Sequence, residues 1–172
     1  MKKVIGILAL CFTVLVANAQ ESDVFSAARS GDIEFLETYQ AKGLPLDTAN
    51  SKGFTPLILA VYNQQVKAAD FLLNKGADVN AKDLSGNTAL MGAIFKGYND
   101  VVSLLLKNNV NVNQQNKNGA TALIFAATFG RVTIAEELLR HKADKSIKDN
   151  RGKIALDHAK IQENLEFINL LQ

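Results

Sequence analysis

Apolar positions along this chain recur in columns 33 residues apart. Leu57, Leu90, Leu123 and Leu156 form one column; Ala60, Ala93, Ala126 and Ala159 form a second, three places on; Leu72, Leu105, Leu138 and Leu171 form a third. Polar stretches recur between them, each carrying a glycine four residues ahead of the first leucine: Gly53, Gly86, Gly119 and Gly152. A fixed period that repeats turn, small and large apolar positions together predicts a solenoid of one stacked unit. Each unit reads as two helices. The alanine column lets the first lie close against its neighbours, while the pairs Leu72 and Leu73, Leu105 and Leu106, Leu138 and Leu139 fill the space behind. Small residues in front and large ones behind predict a curved stack.

The polar positions supply starts and stops. Thr55, Thr88 and Thr121 stand two residues after a turn glycine, where a side-chain oxygen can cap free backbone amides, and Pro56 suits a first helical turn, where no amide donor is needed. Asn50, Asp83, Asn116 and Asp149 precede each glycine by three and are read as residues that bond their own nearby backbone. Lys75-Gly76 and Asn108-Asn109 are read as helix ends that reach the left-handed conformation.

These residues resemble the ankyrin repeat, whose signature runs approximately G-x-T-P-L-H-x-A-A with a closing G-A-D-V-N. Here the first part reads Gly53-Phe54-Thr55-Pro56-Leu57-Ile58-Leu59-Ala60-Val61, then Gly86-Asn87-Thr88-Ala89-Leu90-Met91-Gly92-Ala93-Ile94, then Gly119-Ala120-Thr121-Ala122-Leu123-Ile124-Phe125-Ala126-Ala127. The closing part reads Gly76-Ala77-Asp78-Val79-Asn80 and weakens through Asn109–Asn113 and Lys142–Ser146. The resemblance implies an all-α ankyrin-repeat solenoid of about five helix-turn-helix units with short β-turn fingers. Its units fall at about 22–51, 52–84, 85–117, 118–150 and 151–172. The family's histidine is replaced by Ile58, Met91, Ile124 and Asp157, so other contacts must tie neighbouring loops. The first and last units are degenerate: Ala27, Gly31 and Gly43 keep the step while the first lacks the glycine turn and threonine start, and Ile154 replaces threonine in the last. Glu34, Glu37, Glu163, Glu166 and Asn169 give these ends a wet face.

Residues 1–19 stand outside the period. Lys2 and Lys3, the apolar run Val4–Val16 and the small residues Ala17-Asn18-Ala19 read as a secretion signal cleaved after Ala19, so residues 20–172 form the exported repeat domain, periplasmic or secreted. A spanning helix needs about 20 apolar residues, and this run is shorter; no stable membrane anchor is expected after cleavage. The chain's single cysteine, Cys11, leaves with the signal, which excludes disulfide and thiol chemistry from the product. Losing Lys2 and Lys3 leaves 17 basic against 17 acidic residues. No basic stripe points to nucleic acid.

Candidate chemistry is sparse. His141 and His158 are the only histidines, neither at metal-ligand spacing, and both read as surface residues; Asp157 beside His158 does not face it on a helix. No catalytic constellation, metal or cofactor is expected. In the family that this chain resembles, partners bind the concave surface of turn tips and first helices. The candidate partner-binding residues are therefore Lys52, Phe54, Tyr62, Asn63, Asn87, Phe95, Lys96, Phe129, Arg151 and Lys153, with Ala120, Thr128, Ile161 and Gln162 in the same columns. For Phe95 and Phe129 core packing is an equal reading; Phe125 is expected inside; Tyr62 can lie on apolar neighbours with a wet hydroxyl. The expected function is a monomeric, non-catalytic module that holds an unidentified protein partner. The alternatives are a self-assembling envelope protein and an enzyme with an unrecognised site.

Overall fold

The computed structural model describes residues 24–172; the expected secretion signal lies outside the described residues. Among the described residues ten helices pair into five hairpins: α1 (residues 24–30) with α2 (Ile33–Ala41), α3 (Pro56–Tyr62) with α4 (Val66–Asn74), α5 (Ala89–Lys96) with α6 (Asn99–Lys107), α7 (Ala122–Thr128) with α8 (Val132–Arg140), and α9 (Ala155–Ile161) with α10 (Leu165–Leu171). Fingers separate the hairpins, and among the described residues the extended pairing is one isolated antiparallel bridge, Lys82 to Thr88. The fold is an all-α solenoid.

Helix starts follow the capping logic. The hydroxyls of Thr55, Thr88 and Thr121 accept from the amides of Ile58, Met91 and Ile124, each at 3.3 Å. α9 lacks the threonine and is braced differently: the Asp157 carboxylate accepts from the Ile154 amide at 3.0 Å. Asp157 thus replaces the family's histidine with a helix-start contact.

First helices stack on first helices and second on second, and the row α3, α5, α7, α9 packs more closely than the row α2, α4, α6, α8, α10. The cause is the alanine column, fully buried at Ala60, Ala93, Ala126 and Ala159. Closer spacing on one side bends the stack toward that side, making the first helices and finger tips the inner face. Behind them Leu57, Leu90, Leu123, Leu72, Leu105 and Leu138 are buried, each such side chain contributing about 1.5–3 kcal/mol. Val24, Leu36 and Tyr39 continue the core into the first hairpin; Phe167 and Leu171 close it at the other end.

Fingers are joined by a backbone ladder: the amides of Leu84, Lys117 and Asn150 donate to the carbonyls of Lys52, Ser85 and Asn118 at 3.1, 3.0 and 2.9 Å. This approach explains the turn glycines. Gly53 and Gly86 have φ of +77° and +78°, and a Cβ on them would lie 2.6 Å from the Leu84 amide nitrogen and 2.8 Å from that of Lys117. A second ladder runs after the second helices, where the side-chain oxygens of Asp47, Asn80 and Asn113 accept from the amides of Asp78, Asn111 and Asp144, each at 2.8 Å. These two ladders tie the loops in the absence of the family's histidine.

Candidate partner-binding face

Asn50, Asp83, Asn116 and Asp149 shape the fingers as expected, each accepting from amides two and four residues on. With the fingers fixed, the C-terminal ends of the first helices and the finger tips enclose two depressions.

The first, of about 360 Å³, is lined by Arg29, Asn50, Ser51, Lys52, Phe54, Leu59, Tyr62, Asn63 and Lys96. Phe54 and Tyr62 pack with ring centroids 5.8 Å apart. The Tyr62 ring lies over Gly92 of α5, where a Cβ would come 2.6 Å from Tyr62 Cε2. Burial, and secondarily the nearby Asp83 carboxylate, pushes the Tyr62 phenol above its ordinary pKa. The Asn63 amide group donates back to the Leu59 carbonyl at 2.8 Å, closing α3.

The second depression, of about 280 Å³, has Ala120, Ile124, Phe125 and Phe129 on its apolar side and Asn116, Asn118, Asp149, Asn150, Arg151 and His158 on its polar side, with Thr128 between. Phe129 meets Phe95 edge-to-face with centroids 5.0 Å apart and Phe125 at 5.9 Å. Phe95 and Phe129 are 45% and 39% exposed, so the structure places both rings at the surface rather than in the core, while Phe125 is half-buried. Arg131 Nη2 donates to the Phe95 carbonyl at 3.3 Å and holds the end of α5 beneath this pair.

Other expected positions fare differently. Lys52, Lys96 and Arg151 are exposed and Lys153 is half-buried. Asn87 is bound into the scaffold: its side-chain oxygen accepts from Asn116 Nδ2 at 2.8 Å. Two positions in the wall of the second depression are held within the scaffold: Ala120 is buried, and the Thr128 hydroxyl donates to the Ile124 carbonyl at 2.8 Å. His158 also departs from the surface reading: its Nε2 lies 2.8 Å from Asp149 Oδ2 and its Nδ1 3.3 Å from Thr128 Oγ1, joining α9, a finger and α7. Burial works against the Asp149 charge, but the amides of Lys153 and Arg151 together with His158 outweigh it and hold this carboxyl below the usual carboxylate range.

Charge is sorted between the two sides. The first helices carry Arg29, Lys96 and Lys160 against Asp157, whose carboxylate is engaged at the α9 start. The second helices carry Glu34, Glu37, Asp70, Asp100, Glu136, Glu137 and Glu166 against Lys67, Lys107 and Arg140. The small net charge of +2 therefore conceals a more basic first-helix side. Among the described residues the one basic and acidic side-chain pair within 4 Å is His158 with Asp149, and no three of His, Cys, Asp and Glu gather as metal ligands.

A family model described as Ankyrin repeats (3 copies) matches residues 24–116 and 97–172. The chain belongs to the ankyrin-repeat family. It is also similar to YahD of Escherichia coli (strain K12), whose name describes an ankyrin repeat protein, at 36% identity over 59 residues. That stretch covers 34% of this chain and 29% of YahD, less than two thirds of either. Ankyrin repeats are generally protein-protein interaction modules without catalytic activity.

In ankyrin terms, the residues missed from sequence occupy two places. Arg29 stands 33 residues before Tyr62, in the column of Tyr62, Phe95, Thr128 and Ile161, but the degenerate first unit hides it. The column Leu59, Gly92, Phe125 and His158 lines or underlies both depressions. Its signal is variability immediately beside the invariant alanines.

Proposed function

We propose that this chain is an exported, non-catalytic ankyrin module that holds a partner protein on the inner face. The observation carrying this reading is the exposed Phe95 and Phe129 pair, fixed edge-to-face between two concave depressions on closely packed helices. Exposed aromatic rings beside cations are the anchors that most often dominate interfaces. A face already built before binding loses little conformational freedom on docking. The N-terminal basic, apolar and small-residue pattern supports export to the periplasm or beyond. N-terminal sequencing of the protein recovered outside the cytoplasm is expected to begin at Gln20.

Replacing Tyr62, Phe95 and Phe129 together by alanine is expected to reduce capture of partners from an extract of the exported compartment at least tenfold, with circular dichroism unchanged. Unchanged capture contradicts the inner-face assignment.

One observation favours a second reading, end-to-end association of copies. Ile161 and Leu165 are 57% and 73% exposed on the last hairpin. Sedimentation across a range of concentrations distinguishes the two: a constant monomeric mass opposes self-association.

A further inference from the structure

We propose that the first depression selects an acidic polypeptide segment, one that places carboxylates beside an aromatic or aliphatic side chain. This rests on the reading of the inner face as the partner surface and names the partner's chemistry. Arg29 of the first hairpin, Lys52 of the finger that follows it and Lys96 of the third hairpin line one depression, and among the described residues no aspartate or glutamate lines it with them. Among the described residues none of the three has a carboxylate within 4 Å. Asp83 of the following finger, whose charge helps raise the Tyr62 phenol, has its carboxylate fixed by the amides of Ser85 and Asn87 at 2.8 Å each. A carboxylate entering here meets cations without an ion-pair partner among the described residues, while most helical carboxylates stand on the second helices.

The floor decides between kinds of anion. Phe54, Leu59 and Tyr62 give it an apolar base, which a chain of phosphates leaves unused. Phosphate recognition commonly relies on converging free backbone amides. Here the finger amides are already committed: those of Lys52 and Phe54 donate to Asn50 Oδ1 at 2.9 and 3.1 Å, and that of Gly53 to the Asn50 carbonyl at 2.8 Å. Separate cations around an apolar floor fit carboxylates interleaved with hydrophobic side chains.

The test is selection from a randomised dodecapeptide pool, run with the wild-type protein, Lys52→Gln/Lys96→Gln and Tyr62→Ala. The wild type is expected to enrich peptides with Asp or Glu next to Phe, Tyr or Leu. Binding of the selected peptides should weaken about tenfold in the charge variant, and also when salt is raised from about 0.05 to 0.5 M, where screening shortens to a few ångströms. Enrichment of apolar peptides alone, lost with Tyr62→Ala yet indifferent to the charge variant and to salt, overturns the acidic preference and leaves the face reading intact. Peptides that bind all three proteins equally, or no enrichment at all, overturn both. Displacement of the selected peptides by inorganic polyphosphate or a DNA oligonucleotide at lower concentration than by an unlabelled acidic peptide overturns the polypeptide assignment.

Discussion

Asp149 shows how a single residue takes two roles in this repeat. One carboxylate oxygen receives the amides of Arg151 and Lys153 and shapes the last finger, while the other lies 2.8 Å from His158. Its pKa is lowered on folding, so its ionised form stabilises the native state fully above the usual carboxylate range, and that contribution is lost as pH falls through the lowered folded value. The expected outcome is a thermal midpoint that declines on acidification through this range in the wild type and declines less in Asp149→Asn, measured by circular dichroism. Gly92 is the complementary case. Gly92→Ala introduces a methyl 2.6 Å from Tyr62 Cε2, and the ring must lift. Helix content should be preserved, while the Tyr62 phenol, freed from part of its burial, should titrate nearer its ordinary value in a difference spectrum against Tyr62→Phe. The turn role of Asp149 was legible in its distance from the next glycine. Its pairing with His158 was not, because residues nine apart meet only once a finger folds back over the following helix. Tyr62 was legible as an amphipathic ring, but its seat on Gly92 lies in the next unit, 30 positions away in the chain.

Within the helical elements, the side chains that define starts and those that fill the stack have separable costs. Thr121→Ala removes the acceptor for the Ile124 amide in a buried position and is expected to cost about 1 kcal/mol in denaturant unfolding. Leu105→Ala, at a fully buried site between neighbouring second helices, is expected to cost about 2–5 kcal/mol through the cavity it leaves. A near-wild-type midpoint for Leu105→Ala contradicts its core role. The threonine starts, the alanine row and the leucine row were all readable because periodic burial repeats the same physical demand in every unit. The loop ties were less readable. The column Asp47, Asn80 and Asn113 has the composition of an ordinary turn, and only stacking brings each side chain to the amide 31 residues later. The last helix start was hidden similarly, since its acceptor is supplied by Asp157 from within the helix instead of by the residue at the cap.

At the scale of the whole molecule, close packing of the first helices turns a linear repeat into a curved one, and that curvature gathers cations and exposed rings from successive units onto one side. Sequence alone displayed the period and therefore the fold, and it gave the columns that carry Lys52, Tyr62, Phe95, Lys96 and Phe129. It did not display which column members remain open. Ala120 and Thr128 obey the same spacing, yet in the wall of the second depression one is buried and the other commits its hydroxyl to the Ile124 carbonyl, and Arg29 enters the face from a unit whose signature has decayed. The measurement that tests the central claim most directly is amide hydrogen exchange of the isolated protein against its complex with a captured partner. The account predicts new protection in the finger around Lys52 to Phe54 and at the ends of α3, α5 and α7, with α4, α6 and α8 unchanged. Protection confined to the second helices, or to the last hairpin around Ile161 and Leu165, contradicts it.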